Sequence, residues 1–278
     1  TDMKFFTERY PSSAEGAAVE LAMAMTEITG TRTLIFHNTC IEGVQAIRDA
    51  KARGLEVYGE MGLGWGLFND EIYQGDPVKA LPFLLTPPVR GKAHQDQLWR
   101  GLAQGDLDIV STDHTAMWLA TRERALNLAE SFGIIIPDEE VKPIAVDDEG
   151  NELLPLLPPG GVEVRLPMVY DYAAKNDIFD VHRWVEVCCS NPAEIFDLHN
   201  KGYLLPGYDA DIVIFDPQKE VTITVNDLHS NTNYSVFEGM KIRGKVEKTF
   251  SRGTLLVEDD KFVGPQDHGQ FIQRRINK

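Results

Sequence analysis

The sequence predicts an α/β protein: parallel βα units followed by a small β-rich domain. Three observations predict it. Over the first 115 residues helical and strand patterns alternate, and glycines close the helices. Strands separated by whole helices pair in parallel, because a hairpin cannot join them. From Gly202 onward the style changes to short β-branched runs with turn residues between them.

Each element follows from local chemistry. Ser12 to Thr29 reads as a helix, with Ser12 or Ser13 as cap, Ala17, Ala18, Leu21, Ala22 and Met25 at helical spacing, and Gly30 as its end. Thr33 to His37 is a short buried strand. Ile41 to Arg53 is a second helix, closed by Gly54, and Leu55 to Glu60 a second strand. Phe83 to Thr86 reads as a third strand, stopped by Pro87-Pro88. Lys92 to Gln104 is a helix closed by Gly105, and Leu107 to Ser111 a fourth strand that runs into Thr112-Asp113. Thr121 to Phe132 is helical. Residues 137 to 161, rich in prolines, acids and glycines, read as a long loop that keeps Asp138-Glu139-Glu140 and Asp147-Asp148-Glu149 in solvent. Residues 164 to 198 return to helix with a break at Asn191-Pro192. Asp211 to Pro217, Val221 to Val225 and Lys245 to Val257 are strand-like, and the polar tail from Gly264 lies on a surface or a neighbouring subunit.

Bulk properties narrow the function. The 278 residues suffice for one large domain and one small one. A net charge of −16 argues against nucleic acid and anionic membrane as partners. No apolar run reaches the length of a membrane span, and no secretory signal opens the chain. Three cysteines, Cys40, Cys188 and Cys189, suit a reducing cytoplasm better than a disulfide framework. Residue 1 is Thr and Met3 lies close behind, so the chain reads as a processed product, a fragment, or one with an altered start.

Two side chains at strand ends carry the chemistry. His37 ends the first strand and Asp113 follows the last. An imidazole nitrogen and a carboxylate oxygen suit a hydrolytic zinc site, and the aspartate can also take a proton from metal-bound water. The same pattern suits a hydrogen-bonded core histidine and a helix-capping aspartate. Two residues do not make a site, and pattern alone leaves both readings open.

The wording of the chain settles the weighting. Glu15-Gly16-Ala17, Leu34-Ile35-Phe36-His37-Asn38-Thr39-Cys40, Gly54 to Glu60, Thr86 to Arg90 with His94 to Trp99, Ser111-Thr112-Asp113-His114, Asn191-Pro192-Ala193, Pro206 to Pro217, Tyr234, Phe237 to Lys241 and Gly269-Gln270-Phe271 together resemble the hydantoinases and dihydropyrimidinases. The resemblance runs from about residue 8 to the end. It implies the C-terminal half of a (β/α)8 TIM-like barrel over residues 1–200, then part of a small β-sandwich domain and tail over 201–278. It implies metal ligation by His37 and Asp113, with Asp113 also the catalytic base, and substrate contacts in the segment that begins at Thr86. The backbone of Thr86 can hold a cyclic amide. His114 falls where the family has a non-ligand and is placed behind the ligands. Cys40 reads as a small packed residue, and His94, His182, His199, His229 and His268 as surface or structural.

The family's dinuclear site also uses an early His-x-His pair, a carbamylated lysine and a further histidine. None of the His-x-His wording occurs here. The resemblance therefore implies a divalent metal, zinc by donor type, with further ligands outside this chain. It implies a partner polypeptide or a missing N-terminal part, a small cyclic amide or imide substrate, and a homo- or hetero-oligomer. Other departures bear on the substrate. Met61 to Gly66 replaces a Cys-Pro segment and brings Trp65, which suits either a substrate ring or packing at the rim. Thr115 stands where a cysteine is common. Leu157 to Arg165 lacks the family's Asn-Gly segment, which tells against an ordinary hydantoin or dihydrouracil. Two alternatives remain at this level: a non-catalytic scaffold relative, and another cyclic amidohydrolase such as an allantoinase.

Overall fold

Helix α1 spans Ser12–Thr29, as predicted, and stops where Gly30 takes φ 65°. Its N-cap is Pro11, not Ser12 or Ser13; Ser12 Oγ donates instead to Glu42 Oε1 at 2.7 Å. Helix α2 spans Ile41–Ala52, and α3 spans Lys92–Gln104, ending at Gly105 with φ 84°. Gly16 lets α1 approach α2 closely, since a Cβ there would lie 2.4 Å from Glu42 Cβ.

This computed structural model describes residues 2–115, 117–137, 140–155 and 161–274. Thr1, the acidic residues Asp138 and Glu139, and the stretch 157–160 lie outside the described residues.

Strands β1 (Thr33–Ile35), β2 (Val57–Gly62) and β3 (Ile109–Ser111) form one sheet in that order, with β1 and β2 parallel and Thr33 opposite Val57. The sheet therefore holds three strands where the sequence predicts four. Phe83 to Thr86 is not a strand: Leu81–Phe83 forms a 3-10 turn and the chain runs on irregularly. Prolines at 82, 87 and 88 remove three ladder donors, and Tyr73 Oη takes the Phe83 carbonyl at 2.7 Å. The buried side chains Val44, Ile47, Leu98, Leu102 and Leu107 fill the space where α2, α3 and the sheet meet. Each such burial contributes about 1.5–3 kcal/mol.

Among the described residues of 137–161, two short strands stand within the expected loop. Helix α4 (Arg122–Ser131) follows strand β4 (Ala120–Thr121), and β5 (Ala145–Val146) and β6 (Glu152–Leu154) join β4 in a small antiparallel sheet.

The chain divides into two compact units. One comprises residues 1–107, 111–163 and 224–238; the other comprises 108–110, 164–223 and 239–278. In the second unit a single antiparallel sheet runs β10-β9-β8-β7, built from β7 (Ile212–Thr222), β8 (Lys241–Ser251), β9 (Thr254–Glu258) and β10 (Lys261–Phe262). A second sandwich layer is not among the described residues. The turns are tight: Arg252 and Gly253 join β8 to β9, and Asp259 and Asp260 join β9 to β10, all four with positive φ. Helical turns Arg165–Val169 and Tyr170–Ala174, then Val181–Val185, Glu186–Ser190 and Asn191–Ile195, occupy the region predicted as helix. A new helical segment starts at Asn191, where the sequence places a break and a new start, with Pro192 in its first turn, where its missing N–H is not needed. Tyr170, Trp184 and Phe215 form an aromatic cluster with ring centroids 4.9–5.2 Å apart.

Candidate active site

The end of β1 is fixed by hydrogen bonds on both sides of His37. The Asn38 amide donates to the Glu60 carbonyl at 3.1 Å, and the Asn38 side chain donates to the carbonyls of Ile35 and Glu60 at 2.8 and 2.9 Å. The Thr39 amide donates to Glu15 Oε1 at 2.8 Å. Between these anchors His37 adopts φ 58°, and Asp113, two residues past β3, adopts φ 47°. The left-handed region costs a non-glycine residue about 1–2 kcal/mol, and such conformations persist where the surroundings over-determine them.

The three other sides of the imidazole each have a neighbour. His37 Nδ1 lies 3.3 Å from Glu60 Oε1, and Nε2 lies 3.8 Å from Asp113 Oδ1. The ring packs on Trp65 with centroids 5.0 Å apart and planes at 31°. The Nδ1 contact is an ionic approach without hydrogen-bond alignment, and Nδ1 is otherwise buried and unpartnered. The Glu60 carboxylate raises the His37 pKa above its ordinary value, burial works the other way, and Asp113 adds a smaller upward push. Glu60 is only 7% exposed and accepts from Ser111 Oγ at 2.5 Å.

Glu60 is the candidate-site residue to which sequence reasoning assigned no role. A carboxylate inside the otherwise apolar run Val57–Gly62 was the available signal, because buried charges need a partner.

The predicted site residues fall around two neighbouring recesses. His37 and Thr86 line a cavity of about 470 Å³ together with Glu15 and Arg90. Trp65 and Asp113 line a smaller apolar recess with Phe68, Phe83 and Phe237. His37 bridges the two by its contacts to Trp65 and Asp113. Trp65 is 5% exposed, and its indole donates to the Pro87 carbonyl at 3.0 Å, next to Thr86. Its ring is packed beside His37 and lines the recess that Asp113 also lines. His114 is exposed, and its Nδ1 receives the Val162 amide at 3.5 Å. Cys40 is fully buried, caps α2 by accepting from the Gly43 amide at 3.3 Å, and has its thiol pKa pushed up by burial.

Imidazole Nε2 and a carboxylate facing each other across 3.8 Å have the donor chemistry of a hydrolytic zinc site. They fit as two ligands of a larger set. Among the described residues no three His, Cys, Asp or Glu side chains converge to complete one.

Residues 14–256 match the profile of the amidohydrolase family. The chain belongs to the amidohydrolase family. This amidohydrolase chain is 29% identical to the D-hydantoinase of Streptomyces coelicolor over 99% of its length, and 31% identical to that of Rhizobium radiobacter over 96%. It covers 54% of each. The solved D-hydantoinase (dihydropyrimidinase) from Thermus sp. superposes with a TM-score of 0.84 at 30% identity, covering 99% of this chain and 55% of that one. The amidohydrolase chain thus spans about half the length of the relatives it matches, and its mixed α/β fold corresponds to part of theirs. Among its described residues no helix is long and apolar enough to cross a membrane.

Proposed function

We propose that this chain carries one part of the site of a divalent-metal-dependent cyclic amidohydrolase. It opens a cyclic amide or imide ring in the manner of a hydantoinase, and a second polypeptide or an N-terminal part supplies the remaining half-barrel and ligands. The observation that carries the reading is the approach of His37 Nε2 to Asp113 Oδ1 at 3.8 Å, with both residues held at positive φ beyond strand ends. Strand ends on one side of an α/β barrel are where such folds place catalytic groups.

His37 and Asp113 would hold two positions on the metal, zinc by donor type, which when bound would supply Lewis-acid activation of water and carbonyl. Glu60 beside Nδ1 turns Nε2 of His37 toward Asp113, as carboxylates behind metal-ligating histidines do. The carboxyl of Asp113, with its side chain 41% exposed, takes a proton from the water that adds to the ring carbonyl and delivers it to the ring nitrogen as the C–N bond breaks. Trp65 covers one face of the His37 ring and keeps water off it. The backbone of Thr86, which shares the larger cavity with His37, holds the cyclic amide by hydrogen bonds that no side-chain change removes.

The test pairs metal analysis with one substitution in the native assembly. Purification under mild conditions is expected to retain divalent metal, and Asp113→Asn to abolish ring opening with an unchanged circular-dichroism spectrum. Near-normal turnover in that variant would overturn the assignment, and an assembly purified without metal would point to a scaffold relative.

A further inference from the structure

A group of buried polar side chains lies behind the His37 loop. Glu15 in the first turn of α1 binds Thr39 twice: Oε1 accepts the backbone amide at 2.8 Å and Oε2 accepts the hydroxyl at 2.5 Å. Arg90 closes the group. Its Nη2 donates to Glu15 Oε2 at 2.8 Å, its Nε donates to Thr39 Oγ1 at 2.8 Å, and its Nη1 donates to the Tyr10 carbonyl at 2.8 Å. Arg90 is 6% exposed and Thr39 1%. The Glu15 and Arg90 side chains are 13% and 6% exposed, so the pair is well withdrawn from water.

An ion pair taken out of water is weak support for stability, because desolvation offsets most of the Coulomb gain. The group's hydrogen bonds tie residue 39, two past His37, to residue 90, the end of the segment that begins at Thr86, and anchor both to α1 and to the Tyr10 carbonyl. His37 sits in a left-handed conformation that something must enforce.

We propose that Glu15 and Arg90 form a buried latch that holds His37 in its left-handed conformation and locks the His37 loop to the Thr86–Arg90 segment, so that metal ligand and substrate segment move as one. The latch rests on the reading of His37 as a metal ligand and of Thr86 as a substrate contact. Both residues are positioning residues: neither touches the reacting atoms. Thr39 is the shared element, since its hydroxyl donates to Glu15 while it accepts from Arg90.

The test is amide hydrogen exchange on the whole chain, read segment by segment in Thr39→Val, Thr39→Ser and the double variant Glu15→Met/Arg90→Met. Valine keeps the shape of threonine and removes the hydroxyl; serine restores it. The double variant replaces the pair by apolar side chains of similar volume, which preserves folding. The expected result is a tenfold or greater rise in exchange over residues 38–41 and at the amides of residues 86, 89 and 90 together, in both Thr39→Val and the double variant. Protection in α3 stays unchanged, and Thr39→Ser behaves as the parent. In the native metal-bound assembly, the double variant is expected to bind zinc 10–100-fold more weakly, the usual effect of disturbing groups behind a ligand. Unchanged protection in the two segments overturns the latch. So does loosening of only one segment, which would show no coupling, or loss spread evenly into α3, which would show a purely structural pair. Exchange is read without metal or substrate, so failure of the latch and failure of the hydrolase reading are separate results.

Discussion

Ser111 Oγ donates to Glu60 Oε1 at 2.5 Å, while the same carboxylate oxygen lies 3.3 Å from His37 Nδ1. One buried carboxylate thus joins the residue at the end of β3 to the imidazole beyond β1.

That arrangement makes the metal-free protein sensitive to pH. The His37 pKa is raised in the folded state, chiefly by Glu60. A raised pKa contributes stability that is fully present below the unfolded value of about 6.5 and is lost as pH rises through the folded value. Urea midpoints of the metal-free chain are therefore expected to fall between slightly acidic and alkaline pH. Glu60→Gln should flatten that dependence and lower the His37 pKa seen by NMR; an unchanged titration would rule out Glu60 as the cause.

Trp65→Phe keeps most of the aromatic packing but deletes the donor to the Pro87 carbonyl. An unpaired carbonyl in a part-buried position costs on the order of 1 kcal/mol, so unfolding at equilibrium should shift by about that amount. A loss well under 1 kcal/mol would mean that water replaces the indole.

Gly62→Ala probes the same packing from below. Its Cβ would lie 2.2 Å from the Trp65 ring, so the ring must move. Overpacking of this kind costs about 1–3 kcal/mol. The displaced ring should also change the near-ultraviolet circular dichroism, and a parent-like spectrum would refute the close approach.

In the second unit, Gly244 takes φ 113°, and a Cβ there would lie 2.5 Å from Phe215 and 2.7 Å from Tyr170. Backbone strain and steric conflict add, so Gly244→Ala should destabilise by on the order of 3 kcal/mol. Thermal unfolding measures this directly; a shift of a degree or less would contradict the packing.

Local signals were legible where chemistry is local. Gly30 and Gly105 mark the ends of α1 and α3 because both need the left-handed conformation. His37 and Asp113 stood out because each follows a short apolar strand. The errors came from non-local terms. Phe83–Thr86 has strand-like composition, yet Tyr73 captures its carbonyl and flanking prolines withhold donors. Strands β5 and β6 are short and gain their order from pairing, not from propensity. The partner of Glu60 and the pairing of Glu15 with Arg90 could not be read locally, because the partners lie 51 and 75 residues apart in the chain.

The positive φ of His37 and Asp113 has a bearing on redesign. Asn, Asp, His and Gly are the residues that tolerate that backbone best. Side chains with branched Cβ atoms are excluded at both places, and so are most hydrophobic ones. An engineer seeking a different metal preference therefore has a short vocabulary at these two positions. Three of its four members are themselves able to donate a lone pair, so the backbone filters candidate replacements for coordinating ability before any selection for activity is applied.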